Sequence, residues 1–107
     1  MREWRGPNVI SRIRVTGIRP GTLAEFKVVA RDWKNLLEQH GGRVVGFYFN
    51  GNDNRVTGIA EYESRARLSE IQRSCEADPA FGEIQSRAEQ MTISFQEWIL
   101  EKLELDE

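Results

Sequence analysis

The sequence predicts an α+β fold of the ferredoxin-like type, in which two helices cover one face of a four-stranded antiparallel sheet. The first observation is an amphipathic helix pattern that lies between two apolar strand patterns within the first fifty residues. The second is a turn rich in Asn and Gly at 50–54, which is typical of a hairpin between two strands. The third is a second helical pattern followed by a weakly alternating segment. The predicted order of elements is therefore β-α-β-β-α-β.

The length of 107 residues suits one domain, because a chain of this size buries roughly 65% of its unfolded surface in one modest core. We predict that this domain spans 9–103, after a lead-in segment at 1–8 and before an acidic tail at 104–107.

Composition argues against several classes of partner. The 15 basic and 17 acidic residues leave a net charge of -2, so no strong field favours nucleic acid or an anionic membrane. The longest apolar runs fall far below the ~20 residues that a membrane-spanning helix needs, so no membrane insertion is expected. Cys75 is the single cysteine, which rules out a disulfide within the chain and suits a reducing compartment. We therefore expect a cytoplasmic protein.

The first strand is predicted at 9–17 from alternation with a period of two. The odd positions Val9, Ile13 and Val15 are apolar, whereas Arg12 and Arg14 alternate with them. This pattern predicts that the odd positions pack against the helices and that both arginines point to the opposite side of the sheet.

The first helix is predicted to begin at Leu23. Thr22 and Glu25 have the spacing of a capping box, in which each side chain accepts from a free backbone amide of the other residue. Gly41 and Gly42 stand where a residue of positive φ commonly ends a helix. The apolar residues of the helix form one stripe that needs a sheet to cover, namely Leu23, Phe26, Ala30, Trp33 and Leu37.

The second and third strands are predicted at 44–49 and 56–62. The segment 44–49 is almost continuously apolar or aromatic, which indicates burial of both of its faces. Ser64 is a suitable N-cap for the second helix, and Asp78-Pro79 is the pattern of an N-cap followed by proline at the first helical position, so this helix is expected to break there. The segment 91–100 is interpreted as the last strand, although its apolar residues also fit helical spacing.

Apolar residues on both faces of the central strands predict a second copy of the chain. The helices cover one face of the sheet, and the other would expose an apolar patch larger than soluble monomers usually carry. We therefore expect a homodimer with a cavity between two facing sheets.

Four segments together resemble the NIPSNAP family, in this order and spacing: PGTLAEF at 20–26, HGGRVVGFYF at 40–49, NRVTGIAEYES at 54–64 and the Asp78-Pro79 step. The resemblance spans residues 13–103. It implies a ferredoxin-like domain of the dimeric α/β barrel superfamily and a biochemical activity that is generally undefined. The wider superfamily includes cofactor-independent monooxygenases, cyclases and haem-degrading enzymes. One departure concerns the third strand, where family members commonly carry histidine and tryptophan and this chain has Gly58 and Ala60.

Arg12 and Arg14 are candidate ligand-binding residues. Two guanidinium groups in the intersubunit cavity would suit a carboxylate or a phosphate. In the alternative interpretation, strand four lies beside strand one, and the acid-rich end from Glu97 to Glu107 supplies ionic partners for both arginines across the edge. Further candidates for the cavity wall are Tyr48, Tyr62, Gln96 and Trp98, for which packing in the core or at an interface is the alternative.

No catalytic constellation is evident in the sequence. His40 is the sole imidazole and a conceivable general base, but its position at the end of the first helix favours an interaction with the negative helix terminus. One histidine and one distant cysteine do not make a metal site, so neither a metal nor a cofactor is expected.

The function predicted from the sequence is a homodimeric binding module. It takes a small apolar or weakly anionic molecule in the intersubunit cavity or recruits another protein at its surface. The alternative is a cofactor-independent enzyme that resembles the monooxygenases or cyclases of the superfamily.

Overall fold

A computed structural model describes residues 8–105, and within them it contains one four-stranded sheet and three helices. The predicted lead-in segment lies outside the described residues except for Asn8. All strand pairs are antiparallel, and the order across the sheet is β2-β3-β1-β4. The ferredoxin-like fold is therefore confirmed. The elements are β1 (Ile10–Ile18), α1 (Leu23–Gln39), β2 (Arg43–Asn50), β3 (Arg55–Tyr62), α2 (Arg65–Ala77), α3 (Pro79–Met91) and β4 (Thr92–Glu101).

The second predicted helix is divided into α2 and α3, as the Asp78-Pro79 step indicated. The carboxylate of Asp78 accepts a hydrogen bond from the backbone N–H of Ala80 at 2.9 Å, and Pro79 opens α3. At the start of α2, the hydroxyl oxygen of Ser64 accepts from the N–H of Arg67 at 3.1 Å. Both predicted side-chain caps are therefore present.

The capping box predicted for α1 is absent, although the helix does begin at Leu23. The Thr22 hydroxyl donates to the carbonyl oxygen of Arg19 at 2.7 Å, and the Thr22 side chain accepts no cap hydrogen bond. The hydroxyl therefore closes the turn before α1 and is unavailable to the free amides of the helix. At the other end of α1, Gly41 has a φ of 103°, a value that a residue with a side chain rarely adopts.

The helices pack on one face of the sheet and on each other. Asp32 of α1 pairs with Arg87 of α3 at 2.6 Å, and the Trp33 ring lies 6.1 Å from the Phe81 ring. A single core lies between these helices and the sheet, and its buried members include Ile10, Ile18, Phe26, Leu37, Tyr62, Ile71 and Met91.

The predicted orientation of β1 is wrong, because its arginines face the helices. Arg12 is buried and hydrogen-bonds to Gln72 of α2. The even positions at the two ends of the strand, Ile10 and Ile18, are buried on this same face, whereas Ile13 and Val15 are only partly buried. The odd positions looked like the core side because the outer face of the sheet is itself apolar.

No helix among residues 8–105 covers the outer face of the sheet. Tyr48 is 56% exposed and Trp98 is 45% exposed on this face. The outer apolar face comprises Ile13, Val15, Tyr48, Ile59, Trp98 and Leu100, as the strand register places them. Within the described residues, none of the helices has both the length and the apolar character required to span a membrane.

Candidate functional site

A cavity with a volume of about 490 Å³ lies between the helices and the sheet of one subunit. Its helical walls are mainly apolar, and its floor is formed by β1 and β3. The wall residues used below come from α1 and α3 and include Phe26, Val29, Trp33, Phe81 and Ile84. The sequence predicted a cavity between two facing sheets, on the opposite side of the sheet from this one.

Small residues on β3 keep the floor of this cavity open. Gly58 pairs with Arg14 and Ala60 pairs with Arg12 across the two strands, so all four residues face the helices. A Cβ atom at Gly58 would lie 2.9 Å from the Phe47 ring. Ala60 therefore leaves space at the cavity floor, and Gly58 leaves room for the Phe47 ring, which also lines the cavity.

Arg12 is a buried cation, with 3% of its surface exposed. Its Nη1 donates to Gln72 Oε1 at 3.3 Å, and its Nη2 donates to the Tyr62 hydroxyl. The guanidinium also lies 5.1 Å from the centre of the Tyr62 ring. Burial lowers the pKa of Arg12, and the neighbouring charge of Arg14 lowers it further, while burial raises the pKa of Tyr62. Tyr62 is consequently a neutral partner that holds a charged guanidinium in place.

Arg14 lies closer to solvent and is held by charge and by aromatic rings. Its Nε donates to Glu97 Oε2 at 2.6 Å. Its guanidinium carbon lies 5.0 Å from the centre of the Trp33 ring and 5.9 Å from that of Phe95. The alternative in which the last strand supplies an acidic partner is thus correct for Arg14, and the same side chain also lines the cavity.

A smaller space of about 30 Å³, called the annex below, adjoins the cavity at the two arginines. Arg12, Arg14 and Trp33 line both spaces. The annex is closed by Gln72 and Cys75 of α2 and by Leu37 of α1, and Glu76 and Phe81 complete its lining. Cys75 is buried and its burial raises the pKa of the thiol, which keeps it protonated and weakly nucleophilic.

The structure separates the six predicted site residues into three groups. Arg12 and Arg14 line the cavity. Tyr62 is fully buried behind Arg12 and does not reach the cavity. The outer face carries the other three, Tyr48, Gln96 and Trp98, which pair in register with Thr57, Val15 and Ile13 respectively. They are therefore remote from the helix-sheet cavity.

Sequence reasoning missed several residues of the cavity. Trp33 was interpreted as core packing, and Glu97 as no more than an ionic partner. Gln72 was not considered. The small residues at alternate positions of β3 were the available signal, since they leave space beside β1 on one face.

The single histidine lies outside the cavity, and the described residues contain no cluster of metal-binding side chains. His40 is the C-cap residue of α1, and its Nε2 lies 3.0 Å from Asp78 Oδ2, outside the cavity lining. Among residues 8–105, no three His, Cys, Asp or Glu side chains are grouped so that they could hold a metal ion. The cavity lining therefore combines an apolar surface with two guanidinium groups and with the carboxylates of Glu76, Glu89 and Glu97.

Comparison with known proteins gives one family and a consistent fold. The NIPSNAP family model matches residues 11–104. No curated protein sequence is significantly similar to the chain. A NIPSNAP-like domain protein from Burkholderia xenovorans, described as uncharacterized, superposes with a TM-score of 0.80 at 20% identity and covers 95% of this chain and 91% of its own. A NIPSNAP family protein of unknown function from Agrobacterium tumefaciens superposes with a TM-score of 0.79 at 20% identity, covering 95% of each chain.

A more distant structural relative has a described activity. SnoaB from Streptomyces nogalater, a cofactor-independent oxygenase, superposes with a TM-score of 0.70 at 17% identity and covers 92% of this chain and 96% of its own. At this level of identity the likeness shows a shared fold alone.

Proposed function

We propose that this chain, which belongs to the NIPSNAP family of undefined activity, binds a small, largely apolar and weakly anionic molecule in its cavity. The observation that carries the proposal is the coexistence of a large apolar space and two guanidinium groups on its floor. The protein acts in this proposal as a binding module.

The size and the lining of the cavity support a small organic ligand. A volume of about 490 Å³ falls within the range of roughly 300–1,000 Å³ that is typical of ligand sites. The apolar lining from α1 and α3 includes Phe26, Val29, Trp33, Phe81 and Ile84. Removing an apolar ligand body from water against these walls provides the main favourable free energy.

The charges on the cavity floor support an anionic group on the ligand. Arg12 and Arg14 lie two residues apart on one face of β1, and Glu97 is the acidic residue that pairs with Arg14 there. Glu97 offsets one of these two positive charges. Glu76 and Glu89 also line the cavity, but they are exposed and screened by water, so positive charge remains beside the buried Arg12. A weakly anionic ligand would balance it.

A calorimetric titration with 2-naphthoate tests this proposal. We expect one probe to bind per chain of the wild type. Ala60→Phe places a ring in the cavity, so it should abolish the binding heat while a melting curve shows that the variant is folded. The matched control is Ala66→Phe, on the exposed surface of α2 and outside the cavity lining, which should bind as the wild type does. Equal binding by Ala60→Phe and the wild type would contradict the assignment of the ligand to this cavity.

The proposal includes a homodimer in which a second copy covers the outer apolar face. Trp98, Tyr48 and Leu100 lie exposed on this face. A stable association typically buries ~800 Å² per partner, and an apolar sheet face of this kind is a suitable surface for it.

A cytoplasmic location is also part of the proposal, supported by a single buried cysteine. Recruitment of another protein at the outer face is the other form that a binding module would take.

The second candidate function is a cofactor-independent oxygenase, and the fold shared with SnoaB favours it. In that case Arg14 would stabilise an anion formed from the substrate in the cavity. Oxygen uptake with a panel of hydroquinones and related phenols tests this candidate. Turnover by the wild type that is lost in Arg14→Gln would favour the oxygenase over the binding module.

A further inference from the structure

We propose that the ligand is an apolar monocarboxylate whose carboxylate group occupies the annex between Arg12 and Arg14; the inference rests on the function proposed above. The apolar body of the ligand then lies in the main cavity against Trp33 and the walls from α1 and α3. The hydrogen-bond donors, the volume and the charge of the annex determine which acids bind.

The hydrogen bonds of the two arginines leave donors for such a group. Arg12 uses Nη1 and Nη2 on Gln72 and Tyr62, which fixes its guanidinium at the edge of the annex. Glu97 accepts from the Nε of Arg14, and among the described residues no hydrogen bond engages the terminal nitrogens of Arg14. These nitrogens are therefore the principal donors to the ligand.

The volume of the annex favours a planar acid. A space of roughly 10–15 Å³ already holds one water molecule, so about 30 Å³ has room for two or three groups of that size. A carboxylate brings two oxygen atoms in one plane, which matches the flat donor edge of a guanidinium. A phosphate or a sulfonate brings three oxygen atoms around a tetrahedral centre, so only two of them can lie in the plane of a guanidinium and the third needs further room.

The surrounding charges favour one negative charge and no more. Arg12 and Arg14 repel each other, and Glu97 offsets one of the two positive charges. Glu76 also lines the annex, but it is exposed, so water and salt screen its carboxylate. A monocarboxylate balances the remaining positive charge. Glu97 competes with it for Arg14 and therefore limits its affinity.

Three probes that share one apolar body test this inference by calorimetry, namely 2-naphthoate, 2-naphthamide and 2-naphthalenesulfonate. We expect the carboxylate to bind about tenfold more tightly than the neutral amide, because charge-assisted hydrogen bonds are about twice as strong as neutral ones. The sulfonate should bind no more tightly than the amide.

Variants assign the selectivity to the proposed groups. Arg14→Gln should remove the advantage of the carboxylate, because it should weaken carboxylate binding far more than amide binding, and Arg14 is partly exposed, so the fold should tolerate the change. Glu97→Gln should raise carboxylate affinity several-fold. The control Arg65→Gln removes a surface arginine that pairs with Glu101 at 3.2 Å outside the cavity, and it should change nothing.

Each result decides between the two proposals. If amide and carboxylate bind equally well, or if Arg14→Gln keeps the difference, the annex holds water only and the inference is overturned while the cavity function stands. A sulfonate that binds as tightly as the carboxylate also overturns it, because charge alone would then explain selection. If none of the three probes binds the wild type, the proposed cavity function itself fails.

Discussion

At the scale of single residues, the most informative contact is that between the Arg12 guanidinium and the Tyr62 hydroxyl. Arginine is seldom buried, and here it is tolerated because Gln72 and Tyr62 both accept from it. The ring of Tyr62 adds a cation-π contact. A buried cation that is held this firmly presents its charge to the annex in one defined position.

Removing the Tyr62 hydroxyl should therefore destabilise the protein. Tyr62→Phe keeps the ring but leaves a buried donor of Arg12 without its acceptor, so we expect a loss of about 1–3 kcal/mol in the free energy of unfolding. Urea denaturation measures the change. Tyr48→Phe is the matched control on the exposed outer face and should alter stability by less than about 0.5 kcal/mol. Equal losses in the two variants would contradict the role assigned to Tyr62.

The pair formed by His40 and Asp78 predicts a dependence on pH. The hydrogen bond from His40, followed by that from the Ala80 N–H, holds the pKa of the Asp78 carboxyl below its usual value. The ionised form is thus favoured in the folded state. Its contribution to stability is present above the unfolded pKa of about 3.9 and is lost as the pH falls through the lower folded pKa.

The variant Asp78→Asn isolates this effect, because asparagine can still cap α3. We expect the wild type to be the more stable of the two at neutral pH, and the difference in melting temperature to shrink as the pH falls below about 4 and to vanish below the folded pKa of Asp78. Combining Asp78→Asn with His40→Ala should shrink the difference relative to His40→Ala alone. A difference that persists unchanged down to the acid limit would be inconsistent with a depressed pKa.

At the scale of elements, the N-termini of α1 and α2 are held by different contacts. Ser64 accepts from a free amide of α2, whereas Thr22 donates to the turn that precedes α1. Sequence spacing alone assigned a side-chain cap to both residues. The turn at Arg19 competes for the Thr22 hydroxyl, and a spacing pattern contains no information about that competition.

Substitution of the two residues by alanine should show the difference. Ser64→Ala should cost about 1 kcal/mol in the free energy of unfolding, as losses of a side-chain cap typically do. Thr22→Ala loses one exposed hydrogen bond and should cost less than half as much. Guanidinium denaturation of both variants measures this contrast, and a larger loss for Thr22→Ala would indicate that its hydroxyl caps α1 after all.

The elements of the fold could be predicted from the sequence, but their orientation could not. Periodicity, caps and turn residues located every strand and helix to within about two residues, because these signals are local. Alternation along β1 separated its residues into two sets without indicating which set faces the helices. Ile13 and Val15 lie on an apolar outer face, so hydrophobicity favoured the wrong set. The burial of Arg12 depends on partners in α2 and β3, which no local pattern contains.

At the scale of the whole molecule, the outer apolar face predicts self-association. Trp98 lies on this face, so Trp98→Glu should place a charge in the proposed interface and convert the proposed dimer to a monomer. Analytical ultracentrifugation across a dilution series measures the change. Val28→Glu is the control, since Val28 is exposed on α1, and it should leave the dimer intact. A wild type that sediments as a monomer at every concentration would exclude this interface.

The central claim is that the ligand binds between the helices and the sheet, and two tryptophans report on it directly. Trp33 lines the cavity, whereas Trp98 lies on the opposite face of the sheet. The measurement is a ¹H–¹⁵N correlation spectrum of the indole N–H groups during titration with 2-naphthoate, with signals assigned by Trp→Phe variants. We predict that the Trp33 signal moves with saturation while the Trp98 signal stays in place. Movement of Trp98 with an unchanged Trp33 would contradict the account and place the ligand on the outer face.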